Sequence, residues 1–243
     1  VQFSLAVFVF ICTLNVSRQV SYIFNKDIGY SKDQLMVITA FPKQWDSAGV
    51  LKMETIKKGL LKLPDVKDAS LVFDLPESTP FGRIILYPPK SVNKTDQVNL
   101  PVATADEDYA KTFGIEMKAG SFFGDDKNGI VLNETAVKQL GLDNGNAVGK
   151  IITTPAAGSG LTITGVMKDF NFSTLQDKIG PIGFAHVSTG NTYRYLVVKL
   201  NGKNIPSTIQ HIKSEWKSFA PSAPFDYTFM DEKFTSLYKS ELQ

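Results

Sequence analysis

Cysteine is nearly absent. Cys12 is the only one in 243 residues, so no internal disulfide forms and the fold does not depend on oxidation. That suits the cytoplasm, and equally an envelope protein built without disulfides. Histidine is almost as scarce: His186 and His211 stand alone, and no H-x-x-x-H or C-x-x-C spacing offers a zinc set. Excess charge of one sign is missing too. Lys and Arg number 26 against 24 Asp and Glu, a formal net charge of +2, which argues against nucleic acid as a partner because its binders carry a basic face. Nor does any apolar run reach the roughly 20 residues that span a bilayer. What remains, 43% hydrophobic and 21% charged, is ordinary globular composition, long enough for one large domain or two smaller ones.

Motifs for chemistry are lacking as well. Gly149-Lys150 resembles the end of a Walker A loop, but Asn144 stands where its first glycine belongs, Ile151 follows the lysine, and the segment leads into a strand. Asp125-Asp126-Lys127-Asn128-Gly129 lacks the later bidentate glutamate of a calcium loop and reads as a solvated turn. Gly158-Ser159-Gly160 is a flexible loop without a histidine partner, not a nucleophile elbow. The expectation is therefore a non-enzymatic chain with no catalytic, metal or cofactor site.

What the chain does contain is organised around Gly129–Phe172. Ile130–Leu132 is an apolar run too brief for anything but a buried strand. Asn133 sits where a helix N-cap belongs, and Glu134 places negative charge at the positive end of the helix dipole. Ala136, Val137 and Leu140 share one helical face, and Gly141 supplies the left-handed stop. Val148–Thr154 and Leu161–Met167, rich in β-branched residues, read as a hairpin joined through Pro155–Gly160. Asn133→Ala is then expected to cost about 1 kcal/mol, and Asn133→Asp much less.

Around this stretch the chain carries two similar units. Gln34–Ala40 is a strand, Asp46 caps a helix with Val50, Met53, Ile56, Leu60 and Leu63 at helical spacing, and Ala69–Phe73 is a second strand. Tyr193–Leu200, a helix opened by Pro206 with Ile209, Ile212, Trp216 and Phe219, and alternating Phe225, Tyr227 and Phe229 repeat the pattern. Two βαβ units with right-handed crossovers onto one sheet give a ferredoxin-like α+β sandwich. Strands 34–40, 69–73, 194–200 and 225–229 should share a sheet with both helices on one face. An extra strand at Arg83–Tyr87 precedes an inserted β-rich part.

At the N-terminus Val1–Leu14 is nearly all apolar, and Phe3, Leu5, Ala6, Val7, Phe8, Val9, Phe10 and Ile11 cover every side of a helix, which favours the end of a transmembrane helix over a core helix. From Asn15 the pattern becomes amphipathic, with Val16, Val20 and Ile23 on one stripe. Asp231 starts a last helix with Phe234, Leu237, Tyr238 and Leu242 on one side. Lys168-Asp169-Phe170-Asn171-Phe172 reads two ways: aromatics packed under the hairpin, which is preferred, or a candidate partner contact through Phe170 and Phe172.

These elements, in this order, resemble the extracytoplasmic core domain of MacB/FtsX-like ABC transporter permeases, in particular that of the second permease half. The resemblance is carried by Asn133-Glu134, Val137, Leu140-Gly141-Leu142, Val148-Gly149-Lys150, Gly165-Val166 and Asp169-Phe170. It extends to Gln2-Phe3-Ser4, Arg18-Gln19, Tyr22 and Asn25-Lys26-Asp27 at one end, and to Phe225, Tyr227, Phe229, Asp231, Phe234, Tyr238 and Glu241 at the other. It implies a porter-like subdomain broken in sequence (30–97 and 191–230), a sabre-like insert (98–190), and stalk helices at 1–29 and 231–243. It further implies an inner-membrane protein whose domain faces the periplasm, coupling cytoplasmic ATP hydrolysis to movement outside through stalk residues Val16, Val20, Ile23, Phe234, Leu237 and Tyr238. The partners implied are the rest of the permease with its membrane spans, a cytoplasmic ATP-binding subunit, and a periplasmic adaptor or substrate protein, in a dimer of permease halves. A membrane-tethered sensory or ligand-binding domain is the alternative, which a pocket lined by convergent polar groups would favour.

Overall fold

A computed structural model describes residues 2–25, 28–39, 44–91, 93–155, 157–173 and 177–241. Helix α1 (Gln2–Asn25) precedes strand β1 (Leu35–Thr39), helix α2 (Ser47–Leu60) and strand β2 (Val66–Val72). Strands β3 (Gly82–Leu86) and β4 (Val98–Ala105), helix α3 (Tyr109–Phe113), strands β5 (Met117–Gly120) and β6 (Ile130–Asn133) and helix α4 (Glu134–Gln139) follow. The hairpin β7 (Ile151–Thr154) and β8 (Ala157–Met167), strand β9 (Gly183–His186) and helix α5 (Val187–Gly190) complete the middle of the chain. Strand β10 (Tyr195–Leu200), helix α6 (Ile205–Phe219), strand β11 (Tyr227–Phe229) and helix α7 (Met230–Glu241) close it.

The two βαβ units meet as their hydrophobic periodicity predicts. Their strands lie in the order β11-β1-β10-β2, with every neighbour antiparallel. Asp46 Oδ1 caps α2 by accepting from Gly49 N at 2.7 Å, and Pro at the first turn opens α6. Val50, Met53, Ile56 and Leu60 from α2 and Ile212 and Trp216 from α6 form one cluster with Met36, Ile38, Leu71, Leu196 and Val198. Successive strand residues point to opposite faces, so both helices cover the same face. This is a ferredoxin-like sandwich.

The middle of the chain extends the same sheet. Among the described residues eleven strands form one sheet, continuing from β2 to β4, β9, β6, β8 and β5, with β3 on β4 and β7 on β8. The junction is narrow: β2 and β4 share the single pair Val72↔Ala105, flanked by Phe73 N donating to Thr104 O at 2.9 Å and Asp106 N to Leu71 O at 3.0 Å. Strand β3 is paired with β4 over Gly82↔Val102 to Leu86↔Val98, so the expected division at 97/98 falls inside a hairpin. The far end is covered by α4, whose Ala136 and Val137 pack with Leu140, Leu132, Ile152 and Ile163.

Candidate functional site

The terminal helices are the part of the molecule for which the family resemblance implies a role, and their roots converge. Ile28 and Tyr30, just after α1, and Met230 and Phe234, in α7, belong to one buried cluster. That cluster also holds Val37 and Val197 from the sandwich and Phe113, Phe170 and Phe184 from the inserted part. Tyr30 meets Phe113 and Phe170 edge-on, each at 6.3 Å between centroids. Ser31 N donates to Phe113 O at 2.7 Å and Asn171 N to Ile28 O at 3.0 Å. Lys32 Nζ lies 3.8 Å from the Phe234 ring centroid.

Phe234 is therefore only 1% exposed; it roots α7 in the domain core, where its sequence stripe placed it on a stalk seam. Val16, Val20, Ile23, Leu237 and Tyr238 lie on helical backbone in α1 and α7, but their side chains, like residue Leu242 as a whole, fall outside the described residues. On the first half of α1, Phe3, Leu5, Phe8 and Phe10 are all exposed. Among the described residues no helix is long and apolar enough to cross a membrane.

The motif residues of the central stretch build a polar hub. Asn133 Oδ1 accepts from Ala136 N, capping α4, and from Ile182 N, both at 3.0 Å. Its Nδ2 donates to Asp169 Oδ1 at 2.7 Å and Gly180 O at 2.9 Å. Asp169 also accepts from Thr135 N at 3.0 Å and Thr135 Oγ1 at 2.7 Å, while its own N–H donates to Glu134 Oε2 at 3.1 Å. Two motif halves 36 residues apart in sequence thus close on each other. Gly141 and Gly149 adopt φ of 70° and 81°, the left-handed region that favours glycine. At Gly165 a Cβ would stand 2.2 Å from Ser121 O. Lys150 is exposed, and its carbonyl accepts from Ile163 N at 2.9 Å, so the Gly-Lys pair is a hairpin entry.

Phe170 and Phe172, weighed as a partner contact, are 1% and 5% exposed. Phe172 packs 5.8 Å from Phe184 and Phe170 6.4 Å from it; both turn inward because the hub fixes the backbone on either side of Asp169. This corrects the contact reading in favour of packing.

A second hub has no signature in the sequence. Lys57 Nζ, on α2, lies 2.7 Å from both Asp106 Oδ2 and Asp108 Oδ2. Asp106, 0% exposed, accepts in addition from Ser70 Oγ at 2.7 Å, Leu71 N at 2.8 Å and Asp108 N at 3.2 Å. Desolvation opposes the Lys57 charge, but the Asp106 carboxylate and the hydrogen bonds to Asp106 and Asp108 outweigh it and raise the ammonium pKa. Burial pushes the Asp106 carboxyl the other way, toward its neutral form, while the four donors that converge on it favour the carboxylate. Lys111 pairs with Asp68 nearby. The pair stands beside the narrow β2–β4 junction and ties α2 to the start of α3.

Elsewhere, Glu107 Oε2 lies 2.9 Å from His186 Nε2, and Ser188 Oγ 2.7 Å from His186 Nδ1. This has the outline of a nucleophile–base–acid set, but Nδ1 accepts the Ser188 backbone N–H at 3.1 Å, making His186 the N-cap of α5 with its Nε2–H toward Glu107. The hydrogen bond from His186 holds the Glu107 carboxyl far below the usual range. Among the described residues no group of three or more His, Cys, Asp or Glu could hold a metal. A cleft of about 760 Å³ lies beside α7, between its first turns, the loop after β2 and the start of β10.

Comparison with known proteins places this arrangement. The fold is similar to the crystal structure of the periplasmic region of MacB from Actinobacillus actinomycetemcomitans, with a TM-score of 0.57 and 15% identity over 89% of this chain and 97% of that one. It is similar also to the extracellular domain of the noncanonic ABC-type transporter YknZ from Gram-positive bacteria, with a TM-score of 0.50 and 12% identity over 80% of this chain and 98% of that one. Comparison with curated proteins gives no match. The profile of the MacB-like periplasmic core domain matches residues 4–215, most of the chain, and the chain belongs to that family.

Proposed function

We propose that this domain works outside the membrane as a non-enzymatic, rigid coupling element of an ABC transporter permease, moved by its two terminal helices as ATP is hydrolysed on the cytoplasmic side. The observation that carries this reading is the shared root: α1 and α7 are anchored in one apolar cluster to which both parts of the sheet contribute. Packed clusters resist continuous deformation, so displacement of the helices moves the domain as a body. The exposed apolar half of α1 fits continuation into a bilayer of the inner membrane. The partners of this reading are the rest of the permease, a cytoplasmic ATP-binding subunit, a second permease half, and a periplasmic adaptor or substrate protein.

A cysteine pair tests it in the full transporter, joining Val20 or Ile23 to Leu237 or Tyr238, which closes where the Cα atoms come within about 7 Å. The cross-link is expected to abolish ATP-coupled activity and leave the unfolding midpoint of the domain unchanged. Full coupled activity in the cross-linked protein contradicts the mechanical role. The 760 Å³ cleft is the observation that favours the second reading, a tethered ligand-binding domain; in that case ligand, not helix movement, would control activity.

A further inference from the structure

The cleft beside α7 carries an aromatic ladder and two cations. Ring centroids of Trp45 and Phe73 are 6.0 Å apart and those of Phe73 and Phe81 5.8 Å apart, and Phe81 is 83% exposed, an aromatic surface that gains by being covered. The Arg194 guanidinium stands 4.5 Å from the Phe73 centroid and 6.0 Å from that of Tyr195; Lys233 Nζ is 5.7 Å from the Tyr195 centroid. Three acids line the same cleft, but each is engaged by the protein's own donors. Asp74 is buried, accepts from Phe81 N at 3.1 Å, and burial pushes its carboxyl up. Glu77 accepts from Tyr30 Oη at 3.1 Å. Glu232 faces Phe229 N and Thr228 Oγ1, each at 3.4 Å. Arg194 and Lys233, both exposed, form none of the ion pairs among the described residues. The two cations, Arg194 and Lys233, face solvent against an aromatic wall, and Arg194 also draws the Asp74 carboxyl down against the effect of burial.

We propose that this cleft binds an organic carboxylate joined to an apolar body, with Arg194 and Lys233 taking the carboxylate and Phe81 and Phe73 receiving the apolar part. Arginine presents a fork that matches a carboxylate with two parallel hydrogen bonds, and lysine adds a point charge. The same chemistry is offered by a small amphiphilic acid and by a polypeptide ending in an apolar residue with a free carboxylate. The site does not depend on the transport reading, since its test is binding to the chain alone.

Isothermal titration of this chain with two acid–amide pairs decides it: octanoate against octanamide, and acetyl-Ala-Ala-Phe with a free carboxylate against its amide. The acid is expected to bind at least tenfold more tightly than its amide in one pair or both; octanoate alone identifies a small amphiphile, the peptide alone a chain terminus. Arg194→Gln and Phe81→Ala, both at exposed positions, are each expected to weaken that acid at least tenfold with an unchanged unfolding midpoint, while Lys168→Gln, remote from the cleft, leaves it unaltered. Equal binding of acid and amide, wild-type affinity in Arg194→Gln, or no binding by either acid overturns the proposal.

Discussion

The two polar hubs do the same mechanical task with different chemistry. In the sandwich, Lys57 and Asp106 tie α2 to the junction of β2 and β4 with full charges, both almost wholly out of water. In the inserted part, Asn133 and Asp169 tie α4 to the end of β8 with a neutral amide against a half-buried carboxylate. A buried charge pair contributes little over an apolar pair but leaves an uncompensated charge when one member is lost. An amide hub leaves only orphaned hydrogen-bonding groups. Loss of a single side chain should therefore hurt the junction far more than the insert.

The sharpest way to break that contrast is at the junction. Lys57→Met is expected to cost about 3–5 kcal/mol in urea unfolding. Adding Asp106→Asn, which removes the second charge and keeps one acceptor oxygen that can face Leu71 N, should recover part of the loss. Strictly additive costs would mean the two charges are not a pair.

A smaller effect is expected at Asn133. Asn133→Ala loses the α4 cap, about 1 kcal/mol, and also orphans the buried Ile182 N–H, so a total of about 2–3 kcal/mol is expected. The geometry reverses the sequence-based expectation for Asn133→Asp. An aspartate there would set a second carboxylate where Nδ2 now lies 2.7 Å from Asp169 Oδ1, and should destabilise at least as much as alanine. A near-neutral Asn133→Asp in the same urea series would show that the cap, not the hub, is what Asn133 supplies.

The smallest effect belongs to Glu107–His186, a pair whose carboxylate is partly exposed. The Glu107 pKa is depressed in the fold below its ordinary 4.5, chiefly by the His186 hydrogen bond. A depressed carboxyl contributes stability that is present above the unfolded value and lost as pH falls through the folded one. Glu107→Gln should thus lower the unfolding midpoint modestly at pH 7, where that contribution is fully present, and flatten its fall below pH 4.5, where the wild type loses it. An unaltered acid limb would remove Glu107 from the series.

Legibility in the sequence followed locality. The Asn133 cap, the Gly141 stop and the two βαβ units are written in neighbouring residues, so periodicity and capping chemistry reveal them. Lys57 and Asp106 stand 49 positions apart, and nothing near either residue marks it as one of a buried pair. Phe234 illustrates a different limit. An apolar stripe on a terminal helix reads the same whether it faces a neighbouring stalk or its own domain, and only the packing of Phe234 with the cluster around Tyr30 separates the two. The pairing of β3 with β4 was hidden likewise, because strand partners are set by register across the sheet and not by the strand's own residues.

The central claim is that both parts of the sheet move together when the terminal helices move. Spin labels at exposed Lys58 on α2 and Lys138 on α4, with a second pair at exposed Arg18 on α1 and Asp231 on α7, report both separations by pulsed electron resonance in the full transporter. Between nucleotide-free and ATP-trapped states, the Arg18–Asp231 distance is expected to change while the Lys58–Lys138 distance stays fixed. A changed Lys58–Lys138 distance with the helices still would contradict the rigid coupling element.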